Sequence, residues 1–321
     1  MVAVTGLSLV LRSNDTGGNR RPAGPATTAR MAAPSRKAYM STSAADPVPD
    51  RPSGPGSGPG PDLAAIAGAL RTAGCVFAED EAALLAAAAA APAELGDMVR
   101  RRAGGLPLEH VLGWAEFCGL RVAVDPGVFV PRRRTQLLAR EAAALARPGA
   151  VVVDLACGSG AVGLAVTSLA GGAELHAVDI DRAAAACARR NVAPSGGRVY
   201  CGDLFGPLPV GLRGRVGVVV ANVPYVPSAQ VAYLPPEARL HEPRRALDGG
   251  ADGLDVLRRV AAGAPRWLAA DGHLLIEVSA EQAQAAAAAF STAGLAVRLA
   301  ADAELGATVV IGWREAAATP F

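Results

Sequence analysis

The segment Asn222-Val-Pro-Tyr225 puts a carboxamide, a conformationally restricted carbonyl and an aromatic ring within four residues. That set suits a planar nitrogen. An amide or exocyclic amine nitrogen is a poor nucleophile because its lone pair is delocalised. Two acceptors that hold its two N–H bonds aim the lone pair outward. The Asn222 side-chain oxygen and the Val223 carbonyl can be that pair. Pro224 restricts Val223 to an extended conformation and so fixes the carbonyl. Tyr225 can stack on the planar group. Catalysis by such a device is mainly orientation and electrostatics. Asn222, Val223, Pro224 and Tyr225 are therefore the candidate catalytic and substrate-binding residues; the competing reading is a proline turn with a core tyrosine.

A second cluster lies upstream in Asp154-Leu-Ala-Cys-Gly-Ser-Gly-Ala-Val-Gly163. Glycines let a backbone turn tightly and approach a ligand, and the helix that follows favours negative groups. Gly158, Gly160 and Gly163 match G-x-G-x-x-G, so a dinucleotide enzyme has to be weighed, as does a plain strand-to-helix turn. Asp154 tilts the balance. It would repel a pyrophosphate but welcome the sulfonium and ammonium of S-adenosylmethionine. Asp179 ends the next strand, where a carboxylate can take both ribose hydroxyls, a placement that suits NAD equally. Asp181 beside it is the natural cap of the following helix. Asp203 follows the third strand, where it either meets an adenine amino group or simply makes a turn with Gly202. The cofactor expected is S-adenosylmethionine.

Those residues need a parallel sheet to bring them together. After Pro148 strands and helices alternate, the pattern of an α/β fold. Strands are expected at 151–155, 174–178, 198–201, 216–221 and 273–278, with helices at 161–169, 182–191, 253–268 and 281–293. Residues 296–300 and 308–313 close the sheet as an antiparallel pair. In such a sheet ligands bind beyond the carboxyl ends of the strands, where both clusters fall. Upstream, helical periodicity begins behind Asp62, a candidate N-cap, and continues in helices at 79–91 and 92–102. A hairpin is expected over 116–124 around Gly119, then a helix over 135–146. The organisation expected is a disordered Pro/Gly-rich tail (1–61), a small helical substrate-recognition domain (62–106), a β-hairpin linker (107–134) and the catalytic domain (135–321).

Composition bounds the rest. The chain has 321 residues, is 51% hydrophobic but only 4% aromatic, so Ala, Val and Leu must build its core. A net charge of +2 gives no support to a strong nucleic-acid binder. Cys75, Cys118, Cys157, Cys187 and Cys201 lack a C-x-x-C pair and are expected as reduced, small core residues. The four histidines have no metal-ligand spacing, and no metal is expected. No apolar run reaches the roughly 18 residues of a membrane span. Residues 7–11 are too short for a signal sequence, so a cytoplasmic protein without membrane contact is expected.

On these residues the chain resembles the protein-(glutamine-N5) methyltransferases, the HemK/PrmC group, over about 62–314. Pro107-Leu-Glu-His-Val-Leu-Gly113 and Glu116-Phe-Cys-Gly-Leu120 are similar to its interdomain signature. Val130-Pro-Arg132 is similar to its substrate-site entry, 154–160 to its cofactor loop and Asn222–Tyr225 to its Asn-Pro-Pro-Tyr motif. Glu242-Pro-Arg-Arg-Ala-Leu-Asp-Gly-Gly-Ala-Asp-Gly-Leu-Asp255 matches a long downstream block. The resemblance implies a small helical domain joined to a class I, Rossmann-like, seven-stranded methyltransferase sheet. It implies cofactor contacts from Ala156, Cys157, Gly158, Ser159, Gly160, Asp179, Leu204 and Asn222. It places Arg132 with Asn222, Val223, Pro224 and Tyr225 at the substrate. The family's usual substrate is the Gly-Gly-Gln glutamine of class 1 peptide release factors, which makes such a factor the implied partner.

Two departures stand out. Val223 replaces the first proline of the motif, although the carbonyl and not the ring does the chemistry. The family's Pro-Arg-Pro-Glu-Thr-Glu reads Pro131-Arg-Arg-Arg-Thr-Gln136 here. Arg134 and Gln136 replace two carboxylates, a reversal of charge expected at the substrate entrance. Arg132–Arg134 would then present a basic surface to an acidic or phosphate-bearing partner, or form a solvated turn. A nucleic-acid N-methyltransferase and a non-catalytic cofactor-binding paralogue stay open beside the glutamine methyltransferase; a NAD-dependent oxidoreductase lacks a motif-placed general acid.

Overall fold

A computed structural model describes residues 61–314. Four helices come first: α1 Leu63–Thr72, α2 Ala78–Ala88, α3 Pro92–Ala103 and the short α4 Leu108–Leu112. Asp62 caps α1 as expected, accepting the Ala65 N–H at 3.0 Å. Leu70, Ala78, Ala82, Leu85, Met98 and Val111 form a core of their own among these helices. Helix α4 is not expected from the sequence and lies in the stretch read as linker. It is a five-residue turn ended by Gly113 in the left-handed conformation. The tail expected over 1–61 falls outside the described residues, apart from Pro61.

A hairpin follows, β1 Trp114–Phe117 and β2 Leu120–Ala123. Its two-residue turn, Cys118-Gly119, has φ of 51° and 76°. Two positive φ values give the turn the twist that a tight hairpin requires. Then come α5 Gln136–Leu145, β3 Val151–Leu155, α6 Ala161–Leu169, β4 Glu174–Asp179, α7 Arg182–Val192, β5 Arg198–Cys201, β6 Val216–Ala221, α8 Pro236–His241, α9 Asp255–Gly263, β7 Leu268–Val278, α10 Ala283–Thr292, β8 Ala296–Asp302 and β9 Ala307–Trp313.

The sheet has seven strands in the order β5-β4-β3-β6-β7-β9-β8. Pairing is parallel through β7, and β9 is antiparallel to both β7 and β8. The chain leaves β3 towards β4 and β5, then returns to lay β6 on the opposite side. The carboxyl ends of β3 and β6 therefore flank the switch point, where such sheets open a crevice. One face packs Val153, Val219 and Leu274 under Leu257, Val260 and Phe290; the other packs Val152, Val220 and Leu275 under Leu138, Ala142 and Val166. These mostly aliphatic layers are what the low aromatic content required.

Two expectations need correction. The helix read over 253–268 ends at Gly263; a 3-10 turn with Pro265 follows, and β7 begins at Leu268 rather than at 273. Proline removes a helix donor, and the register against β6 jumps from Val216↔Leu268 to Val218↔His273, so Asp271-Gly272 lies in a bulge. Cysteines are the second. All five are free and Cys75, Cys157 and Cys187 are buried, but Cys118 is half-buried and Cys201 exposed. Cys118 occupies the hairpin turn and Cys201 the end of the edge strand β5, two places where no second layer covers a side chain.

Candidate active site

Strand ends supply the polar groups, each because the pleat brings a side chain out at the carboxyl edge of the sheet. Asp154 on β3 is 1% exposed, and its Oδ2 accepts the Gly163 N–H at 2.8 Å. Burial pushes its carboxyl up to about 7; that N–H pulls it down and the neighbouring Asp179 pushes it further up. Ala156 follows with φ 54°. Left-handed backbone at a non-glycine residue is uncommon and marks a backbone shaped by its surroundings. Leu204, after β5, has φ 46°, and both residues line one cavity.

Asp179 ends β4. Its Oδ2 accepts the Gly158 N–H and its Oδ1 the Asp181 N–H, each at 2.8 Å. It thus ties the glycine loop to the next strand, while a carboxylate's four lone-pair directions leave it two for a ligand. Burial raises its pKa, with those two N–H groups opposing. Asp181 caps α7 through the Ala183 N–H, as its position led one to expect. Cys157 N–H bonds the Val178 carbonyl, Ser159 is 2% exposed with its carbonyl held by Asn191, and Gly160 begins α6. Asp203 pairs with Arg259 at the rim. A cavity of about 250 Å³ gathers Asp154, Ala156, Cys157, Gly158, Ser159, Asp179, Asp203, Leu204 and Asn222 in its walls. Of the expected cofactor residues only Gly160 stays out of the lining.

Asn222 follows β6. Its Nδ2 donates to Thr135 Oγ1 at 3.3 Å, which turns Oδ1 away from that contact. Val223 is 1% exposed. Tyr225 gives its hydroxyl to Glu277 at 3.4 Å and receives a bond from Arg134. A second cavity, about 280 Å³, is walled by Arg132, Arg134, Val223, Tyr225, Leu234 and Glu237, among others. The two cavities share Phe129, Asn222, Pro224 and Ala246.

The downstream block 242–255 buttresses this motif. The Val226 N–H bonds the Leu247 carbonyl at 3.0 Å and the Gly249 N–H bonds the Val226 carbonyl at 2.8 Å. Gly253 has φ +80°, and a Cβ there would stand 2.2 Å from the Tyr225 carbonyl oxygen, so only glycine fits. Gln282 holds that same oxygen at 2.9 Å. Glu242 is fully enclosed and joins two distant motifs. Its Oε1 accepts the Val130 N–H at 3.1 Å and its Oε2 the Arg132 guanidinium at 2.6 Å. Burial raises the Glu242 pKa, with Arg132 pulling it back down.

The run Arg132–Arg134, expected as a basic entrance or a solvated turn, has two of its three charges paired. Arg132, half-buried, pairs with buried Glu242, and Arg134 pairs with buried Glu277 while staying exposed, as Arg133 is. Thr135, Glu242 and Glu277 escaped the sequence reading as site residues. Glu277 could have been found, because it extends the series of polar residues at strand ends begun by Asp154, Asp179 and Asn222. Thr135 and Glu242 lie in segments the sequence marks as motifs, but only the fold brings them to Asn222 and Arg132 and so gives them a role.

A mostly parallel sheet with its switch point at β3 and β6, a glycine loop backed by two carboxylates, and a second chamber that meets the first at Asn222 define an S-adenosylmethionine-dependent methyltransferase. The family model of the methyltransferase small domain matches residues 119–252. A release factor glutamine methyltransferase of Geobacter sulfurreducens is 38% identical over 219 residues, 68% of this chain and 76% of the relative. That of Gloeobacter violaceus is 42% identical over 189 residues, 57% of this chain and 65% of the relative. That of Streptomyces coelicolor is 39% identical over 185 residues, 56% of this chain and 66% of the relative. The chain belongs to the release factor glutamine methyltransferase family.

Proposed function

We propose that this enzyme methylates the side-chain amide nitrogen, N5, of a glutamine in a peptide chain release factor. The observation that carries the reading is the shared wall: the donor cavity and the second cavity meet at Asn222 and Pro224. A glutamine side chain entering past Arg132 and Tyr225 arrives there. The Asn222 Oδ1 and the Val223 carbonyl accept the two amide N–H bonds, and Tyr225 stacks on the amide plane. Thr135, by engaging Nδ2, selects the Asn222 rotamer that offers oxygen to the substrate. The residues do no covalent chemistry; they orient the lone pair and exclude water.

The cavity fits S-adenosylmethionine, which supplies an electrophilic methyl on a cationic sulfur. Asp179 has lone pairs left for the ribose hydroxyls. Leu204 and Asp203 border the adenine region, with Ala156, Cys157, Gly158, Ser159 and Gly160 shaping the loop around the rest. Buried Asp154 and Asp179 give the chamber negative potential for the sulfonium and ammonium. Helices α1–α4 serve as a substrate-recognition domain, with the hairpin as its linker. The nucleic-acid reading loses part of the basic run that favoured it, since Arg132 and Arg134 are each paired with a buried carboxylate.

The test incubates the protein with radiolabelled S-adenosylmethionine and a purified class 1 release factor, intact or with the Gly-Gly-Gln glutamine replaced by glutamate. Label on the intact factor alone is expected. Label on neither, with label on a nucleic acid or another protein from lysate, overturns the substrate assignment.

A further inference from the structure

Arg134 and Thr135 are adjacent in a 3-10 turn, Arg133–Thr135, and each holds one end of the Asn222–Tyr225 motif. Thr135 accepts the Asn222 Nδ2 donor. Arg134 bonds the Tyr225 hydroxyl and lies with its guanidinium carbon 5.6 Å from the ring centroid. Arg134 is itself anchored. Its Nε donates to Glu277 Oε1 at 3.0 Å, and the Glu277 side chain is 2% exposed. The Tyr225 hydroxyl donates to that same oxygen. Glu277 stands beside the motif because Ala221 pairs with Ile276 across β6 and β7, which makes Asn222 and Glu277 the next residues on neighbouring strands. Neither cavity includes Glu277 in its walls, so it reaches a substrate only through its neighbours.

We propose that Arg134 and Glu277 are a positioning pair that fixes the Tyr225 ring over the substrate amide, in place of the carboxylate the family motif carries at 134. The inference rests on the reading that Asn222–Tyr225 hold that amide. Its physical basis is a single buried carboxylate oxygen shared by two donors. A tyrosine whose hydroxyl is held by a cation and an anion loses its freedom to swing. A stacking group off by about 1 Å can cost on the order of 100-fold in rate. Burial pushes the Glu277 carboxyl up, and the Thr135 hydroxyl, Arg134 and Tyr225 draw it back down. With a carboxylate at 134, two like charges would face each other in this place, so residues 134 and 277 have to be read together.

Two measurements on the full chain test the pair. The four tyrosines can be replaced by 3-fluorotyrosine, with the Tyr225 fluorine resonance assigned by its loss in Tyr225→Phe. Glu277→Gln and Arg134→Gln should each shift or broaden that resonance, and Arg134→Lys should restore much of it. S-adenosylmethionine affinity should barely change. On a Gly-Gly-Gln release factor, both variants should lower kcat roughly 10- to 100-fold with much less effect on KM. Glu277→Gln added to Arg134→Gln should cost little more, because the two act as a unit. An unmoved Tyr225 resonance in both single variants overturns the pair, and so do fully additive losses in kcat. If Glu277→Gln does not fold, Arg134→Gln, at a partly exposed side chain, gives the same resonance readout. A wild-type protein that leaves every release factor unlabelled overturns the substrate reading instead, while the resonance still decides the pair.

Discussion

Asn222 carries the sharpest test at the scale of single residues. If its Oδ1 holds the substrate amide, Asn222→Ala removes an alignment realised most fully in the transition state. Turnover should fall roughly 10²- to 10³-fold in a methylation assay, while calorimetry shows donor affinity far less affected. Val223→Pro should be tolerated, because the carbonyl persists and Val223 already precedes a proline. Asp154 makes a different prediction. Its carboxyl sits near 7 in the unliganded protein because it is buried. A bound cation favours the ionised form, so the pKa falls on binding. Donor affinity is then greatest above about pH 7 and weakens by up to tenfold per unit as pH falls below it. Calorimetry across that range checks this, and Asp154→Asn should flatten the profile. The same shift acts on folding with the opposite sign. The folded state holds a proton that the unfolded carboxyl, near 4, does not, so the Asp154 contribution to unliganded stability rises as pH falls from about 7 towards 4.

Among the elements, the strands and the glycine loop were legible because each has a periodic or compositional signature. Strands β3 to β6 fall within a residue of their expected bounds, since Val-rich runs flanked by turn residues leave little choice. The start of β7 was not legible, because a bulge at Asp271-Gly272 interrupts the run and Ala269-Ala270 reads as well in a helix. Helix α8 was missed for a related reason: it is a single proline-started segment, Pro236–His241, in a stretch with no periodicity. The loop after Asp248 was legible as a motif but not as a device. It is a support for Asn222–Tyr225, and Gly253 is where a side chain would run into the Tyr225 carbonyl. Gly253→Ala should therefore lower both the thermal midpoint and turnover, by about 1–3 kcal/mol in stability, since it adds strain at positive φ to a clash with backbone. Gly211→Ala is the control, because a Cβ there meets nothing within 4 Å. Equal midpoints for the two variants would contradict the buttress.

At the scale of the whole molecule the question is what couples the helices α1–α4 to the second cavity, and Arg102 is the answer the structure offers. It lies in the last turn of α3 with a side chain only 7% exposed, bidentate to Glu81 of α2 through Nε at 2.6 Å and Nη2 at 3.1 Å. Its remaining nitrogen reaches Glu237 of α8, also at 2.6 Å, and Glu237 lines the second cavity. The two arms differ in worth. Glu237 is 47% exposed, so its arm is screened and adds little stability. Glu81 is 11% exposed, so loss of Arg102 strands a nearly buried carboxylate. Arg102→Ala should cost about 3–5 kcal/mol, and Arg102→Met with Glu81→Gln should recover much of it, because the stranded charge is then gone. Glu237→Gln should leave the thermal midpoint nearly unchanged yet raise KM for a release factor, if Arg102 is what holds α8 against the helices. A midpoint loss in Glu237→Gln as large as that in Arg102→Ala would show that the α8 arm, and not the pair with Glu81, carries the stability.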